Sequence, residues 1–242
     1  MTNIESWDRV AARRGEASGA DVVQYGPDLP TETELRLCGD LSGRRVLDLG
    51  CGAGENAITM ARAGAHVIAL DVSPAQLALG RRLADAAEVR VEWHKSDAAD
   101  LAFLRADSID LALATGVLHE IEDLDRVLRQ VHRVLRPGSA FVFSHDHPMR
   151  LAIGREGGTV PGVLPLGRLE VRRSYFDPSP IVATREEEPI QLWPRTISDV
   201  FSALHRAGYR VDVLLEPEPV QSSDPGPSSP TTVIWRARKE GQ

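Results

Sequence analysis

Cysteine, lysine and long apolar runs are all scarce in this chain of 242 residues. Its two cysteines, Cys38 and Cys51, lie far apart and lack the spacing of metal ligands, so neither a disulfide framework nor a zinc site is predicted. We therefore expect a reducing, cytoplasmic location. The charged amino terminus has no apolar core, which predicts no signal peptide, and no run approaches the ~18 apolar residues of a membrane span.

An excess of positive charge is also lacking, because 28 Lys and Arg stand against 35 Asp and Glu, a formal net charge of −7. Lys95 and Lys239 are the only lysines. Neutralisation of phosphates supplies most of the affinity for nucleic acids, so this composition disfavours a nucleic-acid partner. The length suffices for one α/β domain with an elaboration and a large core. The sequence leaves the oligomeric state open.

What the chain does have is a glycine-rich stretch directly after a short apolar run. The apolar run from Arg45 to Leu49 is interrupted only by Asp48. It ends at three glycines spaced two apart, from Gly50 to Gly54, after which apolar residues recur at helical spacing. Glycine permits a sharp turn, positive φ angles and the close approach of a ligand to the backbone. The pattern predicts a strand, a tight loop that holds a ligand, and a helix. A glycine-rich turn without a ligand is the alternative.

The spacing of this loop distinguishes between cofactors. A dinucleotide fingerprint needs a small residue three positions after its second glycine, and Glu55 stands there. A pyrophosphate prefers a helix amino terminus without acids, whereas Asp48 suits a cationic group such as an amino-acid ammonium. The sequence Arg-Val-Leu-Asp-Leu-Gly-Cys-Gly-Ala-Gly resembles the first motif of class I S-adenosylmethionine-dependent methyltransferases, and the resemblance extends over about 45–144. It implies S-adenosylmethionine as the cofactor.

Strand and helix patterns alternate along the chain, which predicts a Rossmann-like, mostly parallel seven-stranded sheet with helices on both faces. The resemblance adds an antiparallel last strand. The predicted strands are 45–49, 66–71, 89–94, 108–114, 140–143, 209–215 and 231–235. The predicted helices are 3–14, 31–38, the stretch after the glycine loop, 73–87, 123–135 and 196–207.

We interpret the whole chain as a single methyltransferase domain. An N-terminal helical segment (1–40) precedes the cofactor-binding core (41–144). The segment 145–195 is rich in glycine and proline, has little periodicity and is too long for an ordinary connection, so it is predicted to be a substrate-cap insertion. A C-terminal helix and strands (196–242) complete the domain, with a mobile loop expected between Glu216 and Pro230.

Asp71 ends the second predicted strand, about 20 residues beyond the glycines, where an acid in such folds accepts the ribose hydroxyls. The alternative role, a helix N-cap, is already filled by Ser73 with Pro74 after it. By resemblance, Asp97 and Ala98 contact the adenine, and Tyr25 reaches the methionine end unless it only anchors a loop. The predicted cofactor contacts are Tyr25, Asp48, Gly50, Cys51, Gly52, Asn56, Asp71, Val72, Gln76, Ser96, Asp97, Ala98, Thr115 and Gly116.

Histidines follow the fourth and fifth predicted strands, at the edge where the ligands are expected. His119 and His147 are predicted to contact the substrate or to act as the base, because an imidazole can accept a proton near neutral pH. The alternative is that both are hydrogen-bonded loop residues. His145 and His147 also have the spacing of two metal ligands, but no third ligand is evident, so no metal site is predicted.

The resemblance implies transfer of a methyl group to an oxygen or nitrogen of a small organic molecule. One alternative is a tRNA base-modifying enzyme, supported only by Arg168, Arg172, Arg173 and Arg195. The Asn/Asp-Pro-Pro-aromatic motif of base-amino methyltransferases is absent, since Thr115 to Leu118 occupies its place. A cofactor-binding subunit without catalytic activity is the other alternative.

Overall fold

The computed structural model describes residues 2–14, 21–155, 169–218, 220 and 230–241. The strands are β1 (Arg45–Leu49), β2 (His66–Asp71), β3 (Val91–Lys95), β4 (Ile109–Thr115), β5 (Leu135–Asp146), β6 (Ile153–Arg155), β7 (Leu169–Val171), β8 (Ile181–Arg185), β9 (Glu188–Leu192), β10 (Tyr209–Leu215) and β11 (Thr232–Lys239). The helices are α1 (Asn3–Arg13), α2 (Glu32–Leu35), α3 (Glu55–Arg62), α4 (Pro74–Ala86), α5 (Leu124–Val134), α6 (Pro148–Ala152) and α7 (Ile197–Arg206), with a 3₁₀ turn at Leu118–Glu120.

Seven strands form the central sheet in the order β10-β11-β5-β4-β1-β2-β3. Strand β1 pairs in parallel with β2 and β4, β2 with β3, and β4 with β5. Strand β11 runs antiparallel to both of its neighbours. The order reverses beside β1, so the carboxyl ends of β1 and β4 border the crevice in which such sheets bind ligands. The predicted fold class is confirmed.

Successive side chains of a strand point to opposite faces, so the two sides of the sheet bury different partners. On β1, Leu47 and Leu49 pack in the cluster that includes residues of α5 and α7. Val46 points the other way, into the cluster that contains α3 and parts of segment 23–41. Strand β1 is buried on both faces, which explains its almost continuous apolar sequence.

Helix α4 begins at the cap that the sequence predicts, since Ser73 Oγ accepts from the Gln76 amide at 3.1 Å. The Asp123 carboxylate accepts from the Arg126 amide at 2.9 Å, and the buried residues of α5 recur at helical spacing. Helix α2 is shorter than predicted, since it ends at Leu35 with Arg36 at φ +49°. The Glu32 carboxylate accepts from the amides of residues 37, 38 and 39, which holds them in a tight loop instead of a further helical turn.

Regular elements also occur in the segment predicted to have little periodicity. Helix α6 follows β5, strands β6 and β7 form one antiparallel hairpin, and β8 and β9 form another. Residues 156–168 of the predicted cap lie outside the described residues, as does most of the predicted Glu216–Pro230 loop. No helix in the described part of the chain is both long and apolar enough to cross a membrane.

Candidate active site

The glycine loop joins β1 to α3 with positive φ angles of 62° at Gly50, 54° at Gly52 and 79° at Gly54. A Cβ on Gly50 would lie 2.5 Å from the Val117 side chain, and one on Gly54 would lie 2.3 Å from the Trp93 ring. The nearest atom to a Cβ on Gly52 would be 3.9 Å away. Packing therefore requires the outer glycines, whereas the middle glycine borders open space.

Asp48 lies on β1 just before this loop and is buried, with 2% of its surface exposed. Its Oδ2 atom has no hydrogen-bond partner among the described residues. Burial, and then the nearby charges of Asp71 and Glu55, raise the pKa of Asp48 to about 8. A buried carboxylate without a partner is costly, and a cationic ligand group beside it would remove that cost.

Asp71, at the end of β2, is tied to the glycine loop. Its Oδ2 accepts from the Gly52 amide at 2.9 Å, and its Oδ1 accepts from the Ser73 amide at 2.8 Å. Burial raises the pKa of Asp71, while the backbone amides of Ser73, Gly52 and Val72 oppose that rise. A carboxylate has about four acceptor positions, so further positions remain for ligand hydroxyls.

Asn56, in the first turn of α3, connects three parts of the site. Its side chain accepts from the Gln24 amide and donates to the Gln24 carbonyl, both at 2.9 Å, and also donates to Thr115 Oγ1 at 3.2 Å. The Gly116 amide donates to the Ser144 carbonyl at 3.0 Å. The ends of β4 and β5 are thereby held beside the glycine loop, as the sequence predicts.

Two other predicted cofactor contacts, Gln76 and Cys51, lie near the end of β2. Gln76 is buried near Gly52, and its Oε1 has no hydrogen-bond partner among the described residues. The Cys51 amide donates to the Leu70 carbonyl at 3.0 Å, and burial raises the pKa of the Cys51 thiol well above its usual value. Cys51 is therefore a neutral lining residue, and Gln76 offers an acceptor to a ligand.

The predicted adenine contacts follow β3. The Ser96 amide donates to the Asp71 carbonyl at 3.2 Å, which places this turn beside the end of β2. The exposed Asp97 carboxylate accepts from the Ala99 amide at 2.8 Å, while Ala98 is buried. The structure thus brings Ser96, Asp97 and Ala98 to the same sheet edge as Asp71.

Tyr25 occupies a different position from the one implied by the resemblance. Its ring is buried in the core, and its hydroxyl donates to the Glu32 carboxylate and lies 3.4 Å from Cys38 Sγ. Burial raises the pKa of this hydroxyl. The Tyr25 carbonyl accepts from Ser144 Oγ at 2.6 Å. These contacts favour the alternative role, in which Tyr25 anchors the segment that precedes α2.

Two of the predicted histidines are fully engaged with protein groups. His147 Nδ1 accepts from the Met149 amide at 3.0 Å as the N-cap of α6, so the proton is on Nε2, which donates to Glu216 at 2.6 Å. His145 Nε2 accepts from the Trp235 indole at 3.0 Å, and burial lowers the pKa of His145 to about 4. Neither neutral ring keeps a free lone pair, which argues against His147 as a base and favours the alternative of a hydrogen-bonded loop residue.

His119 lies in the 3₁₀ turn after β4, and burial lowers the pKa of its ring. Its Nδ1 accepts from the Asp146 amide at 3.4 Å, and its Nε2 is 3.8 Å from Asp146 Oδ2. Asp146 is also paired with Arg185, and Arg150 Nη1 lies 3.7 Å from its Oδ1. His119 is therefore a neutral ring that lines a small pocket beside Trp193.

Glu120 was missed by the sequence reasoning, although it directly follows His119. Its Oε2 accepts from the Trp7 indole at 2.8 Å and from the Asn3 side chain at 3.4 Å. No described residue donates to Oε1. Burial raises the pKa of Glu120 to about 7, while the Trp7 hydrogen bond opposes that rise and the charge on Asp71 adds to it. The sequence feature that could have identified Glu120 is an acidic residue in the loop that follows a buried strand.

Helix α1 and the β8–β9 hairpin together cover this edge of the sheet. Asp8 Oδ1 accepts from Ser73 Oγ at 2.6 Å, which attaches α1 to the start of α4. On its other side, Ser6 Oγ donates to the Pro189 carbonyl at 2.8 Å, and Arg13 is paired with Glu188. The Trp193 amide donates to the His119 carbonyl at 2.7 Å. Residues distant in sequence therefore enclose the site.

Groups of three or more histidine, cysteine or acidic side chains that could hold a metal ion are absent from the described residues. The unpartnered oxygens of Asp48 and Gln76, the open space at Gly52 and the acid at the end of β2 fit a ligand with an ammonium group and a ribose. Such a site, at the point where the strand order of this sheet reverses, is typical of class I methyltransferases.

Comparisons with known proteins agree with this class. Residues 47–143 match the family model described as a methyltransferase domain. Demethylmenaquinone methyltransferase of Clavibacter sepedonicus is 30% identical over 166 residues, which cover 66% of this chain and 67% of that protein. The chain belongs to the class I S-adenosylmethionine-dependent methyltransferases, which confirms the predicted family and cofactor.

Two further relatives extend the comparison. Ubiquinone biosynthesis O-methyltransferase of Hahella chejuensis is 32% identical over 146 residues, 59% of this chain, and the chain spans only 61% of that relative's length. A solved structure of a putative S-adenosylmethionine-dependent methyltransferase from Listeria monocytogenes is 25% identical, with a TM-score of 0.70, and covers 85% of this chain and 95% of that one. The similarity in fold thus reaches well beyond the core motif.

Proposed function

We propose that this protein transfers the methyl group of S-adenosylmethionine to an oxygen or nitrogen atom of a small organic molecule. The observation that carries the proposal is the buried Asp48 at the carboxyl edge of the sheet, whose Oδ2 has no hydrogen-bond partner among the described residues. When bound, the cofactor supplies a sulfonium methyl group for an in-line displacement. The protein has to align the acceptor with that carbon and to exclude water.

The positions of the side chains support the predicted cofactor contacts. Asp48 holds the ammonium group, the Gly50–Gly54 loop admits the methionine portion, and Asp71 accepts from the ribose hydroxyls. Ser96, Asp97 and Ala98 lie where the adenine would extend from Asp71. The hydrogen bond between Asn56 and Thr115 also holds the start of α3 beside the end of β4.

A small acceptor is favoured because the site is enclosed. Helix α1 is attached on one side to α4 and on the other to β9, which leaves little room for a polymer. Two of the four arginines that supported an RNA substrate are used internally: Arg195 donates to the carbonyls of residues 121 and 122, and Arg173 to those of residues 177 and 179. Arg172 is exposed. Arg168 lies outside the described residues. The names of the relatives, which refer to ubiquinone biosynthesis and demethylmenaquinone, agree with a small acceptor.

Glu120 is the group placed to take the proton that a hydroxyl or ammonium acceptor loses. Its Oε2 is held by Trp7, while its Oε1 has no donor among the described residues. A pKa of about 7 leaves a substantial fraction ionised at neutral pH. His119 lines the same region as a neutral ring, which suits contact with an acceptor.

Calorimetric titration with S-adenosylmethionine and, separately, NAD tests the cofactor assignment. We expect binding of the first alone, weakened by about 1–3 kcal/mol in Asp71→Asn, because a charged acceptor of the ribose hydroxyls is lost. Transfer of an isotope-labelled methyl group is then screened on phenols, quinols, amines and RNA. Turnover on a small acceptor supports the proposal. Turnover on RNA alone, or tight cofactor binding with no turnover on any acceptor, contradicts it in favour of the two alternatives.

A further inference from the structure

A cavity lined by arginines lies at the edge of the sheet opposite to the glycine loop. Its volume is about 290 Å³, and its charged lining residues are Arg36, Arg44, Arg236, Arg238 and Asp110. Arg44 directly precedes β1, and Asp110 is the second residue of β4. Arg236 and Arg238 lie near the end of the antiparallel β11. The arginine cavity is therefore separate from the carboxyl edge where the cofactor residues converge.

Backbone and carboxylate groups hold three of these guanidinium groups in place. Arg236 and Arg238 are two residues apart on β11, so their side chains lie on the same face of the sheet. Their Nε atoms donate to the Asp212 carboxylate at 3.0 and 2.7 Å. Their Nη1 atoms donate to the carbonyls of Leu37 at 3.5 Å and Gly138 at 3.2 Å. Arg44 donates to the Cys38 carbonyl at 3.3 Å. The side chains are thus fixed before any ligand arrives.

Many donors of these arginines remain unused. A guanidinium group carries five N–H donors, and the contacts above use two each on Arg236 and Arg238 and one on Arg44. The Arg36 guanidinium has no hydrogen-bond or ion-pair partner among the described residues, and only the backbone amide of this residue is bonded, to the Glu32 carbonyl. The cavity therefore presents convergent donors without a matching set of protein acceptors.

Positive charge is concentrated here in a chain whose net charge is −7. Asp110 is neutralised by Arg136, and Asp212 is shared between two arginines. Four guanidinium groups and one carboxylate therefore line the cavity. The mutual repulsion of the guanidinium groups opposes this arrangement, whereas an anion with two or more charges would relieve it.

We propose that the arginine cavity binds a small phosphate-bearing molecule. Planar guanidinium groups match the geometry of phosphate oxygens and bind them with two parallel hydrogen bonds. A cavity of about 290 Å³ accommodates a phosphoryl group with a modest organic part. Because the cavity lies at the opposite edge of the sheet, its ligand binds together with the cofactor and does not compete with it.

Calorimetric titration with pyrophosphate and inorganic phosphate, at constant ionic strength set by chloride, tests this site. Citrate serves as an anion without phosphorus. The variants are Arg36→Ala and Arg44→Gln, and the matched control is Arg82→Ala, an exposed arginine of α4 outside the cavity. We expect saturable binding of one pyrophosphate per chain, weakened about tenfold or more in each cavity variant because a charge-assisted hydrogen bond is lost. The control binds like the wild type.

The same titrations are repeated with S-adenosylmethionine present. Unchanged pyrophosphate affinity supports a separate site, whereas competition would place the anion at the glycine loop and overturn the inference. Absence of saturable binding, equal weakening in Arg82→Ala, stronger binding of citrate, or binding of long RNA only would each overturn it as well. Unchanged circular dichroism and thermal midpoints show that Arg36→Ala and Arg44→Gln remain folded. The result is independent of whether methyl transfer is found.

Discussion

Trp7 donates its indole N–H to Glu120 Oε2 at 2.8 Å, which joins the first helix of the chain to the loop after the fourth strand. The contact holds α1 over the carboxyl edge of the sheet and opposes the rise in the Glu120 pKa that burial causes. One hydrogen bond thus connects the cover of the site with the acidity of its proposed base.

Replacing Glu120 with glutamine tests its proposed role. The carboxyl group must be ionised to take a proton, so methyl transfer by the wild type is expected to rise with pH through about 7. Glu120→Gln should lower kcat by about 10²–10⁴-fold and remove this rise, since general bases contribute that much. The measurement is a pH–rate profile. Glu122→Gln changes an exposed neighbour and should leave the profile intact, whereas an unaltered profile in Glu120→Gln contradicts the assignment.

Replacing Trp7 with phenylalanine removes the indole donor but retains an aromatic ring. Because that hydrogen bond favours the ionised carboxylate, the midpoint of the pH–rate profile should move above its wild-type position, while the rate at high pH is largely retained. Ile4→Val, on an exposed position of the same helix, serves as the control. Lower stability without a shifted midpoint would show that Trp7 only holds α1 in place.

Asp48 should make the stability of the free protein depend on pH. Its folded pKa of about 8 lies above the value in an unfolded chain, so between about pH 4 and 8 the folded protein holds a proton that the unfolded chain has released. Stability from this group is fully present below that window and is lost as pH rises through it. Asp48→Asn should therefore be more stable than the wild type at pH 9 by at least ~1 kcal/mol, with a smaller difference at pH 5.

Chemical denaturation at the two pH values measures this difference. Cofactor binding provides an independent readout, because Asp48 must ionise to pair with an ammonium group. Proton release should accompany binding at pH 7 and be absent in Asp48→Asn, as calorimetry in buffers of different ionisation enthalpy would detect. Equal stability at both pH values together with retained proton release would refute this role of Asp48.

Alanine variants of Gly54 and Gly43 distinguish the stability cost of backbone strain from the cost of a steric clash. Both have positive φ, 79° and 69°, but a Cβ on Gly54 would meet the Trp93 ring, whereas one on Gly43 would have no atom within 4 Å. The Trp93 ring also abuts Gly80, so it has little freedom to move. Gly43→Ala should cost about 1 kcal/mol for its left-handed backbone, and Gly54→Ala about 1–3 kcal/mol more. Equal losses on denaturation would mean that the Trp93 contact is unimportant.

The sequence predicted elements whose signals are local. Strand β1 and the glycine loop follow from adjacent residues, and the position of Asp71 follows from a strand that ends where a capped helix begins. Helix α2 shows the limit of such reasoning. The sequence predicts where it starts, but its early end depends on the Glu32 carboxylate, which accepts from amides that a further helical turn would have used. A local pattern cannot show which acceptor a backbone amide finds.

The sequence by itself determined the order of strands and helices, the glycine loop and the acids that follow the parallel strands, because burial periodicity and backbone restrictions act between near neighbours. Only the tertiary structure decided that Tyr25 bonds Glu32, that His147 bonds Glu216 and that Glu120 bonds Trp7. These partners lie 7, 69 and 113 residues apart. Whether an ionisable side chain serves chemistry or the core depends on which of its atoms are already hydrogen-bonded, and that is settled when distant segments pack together.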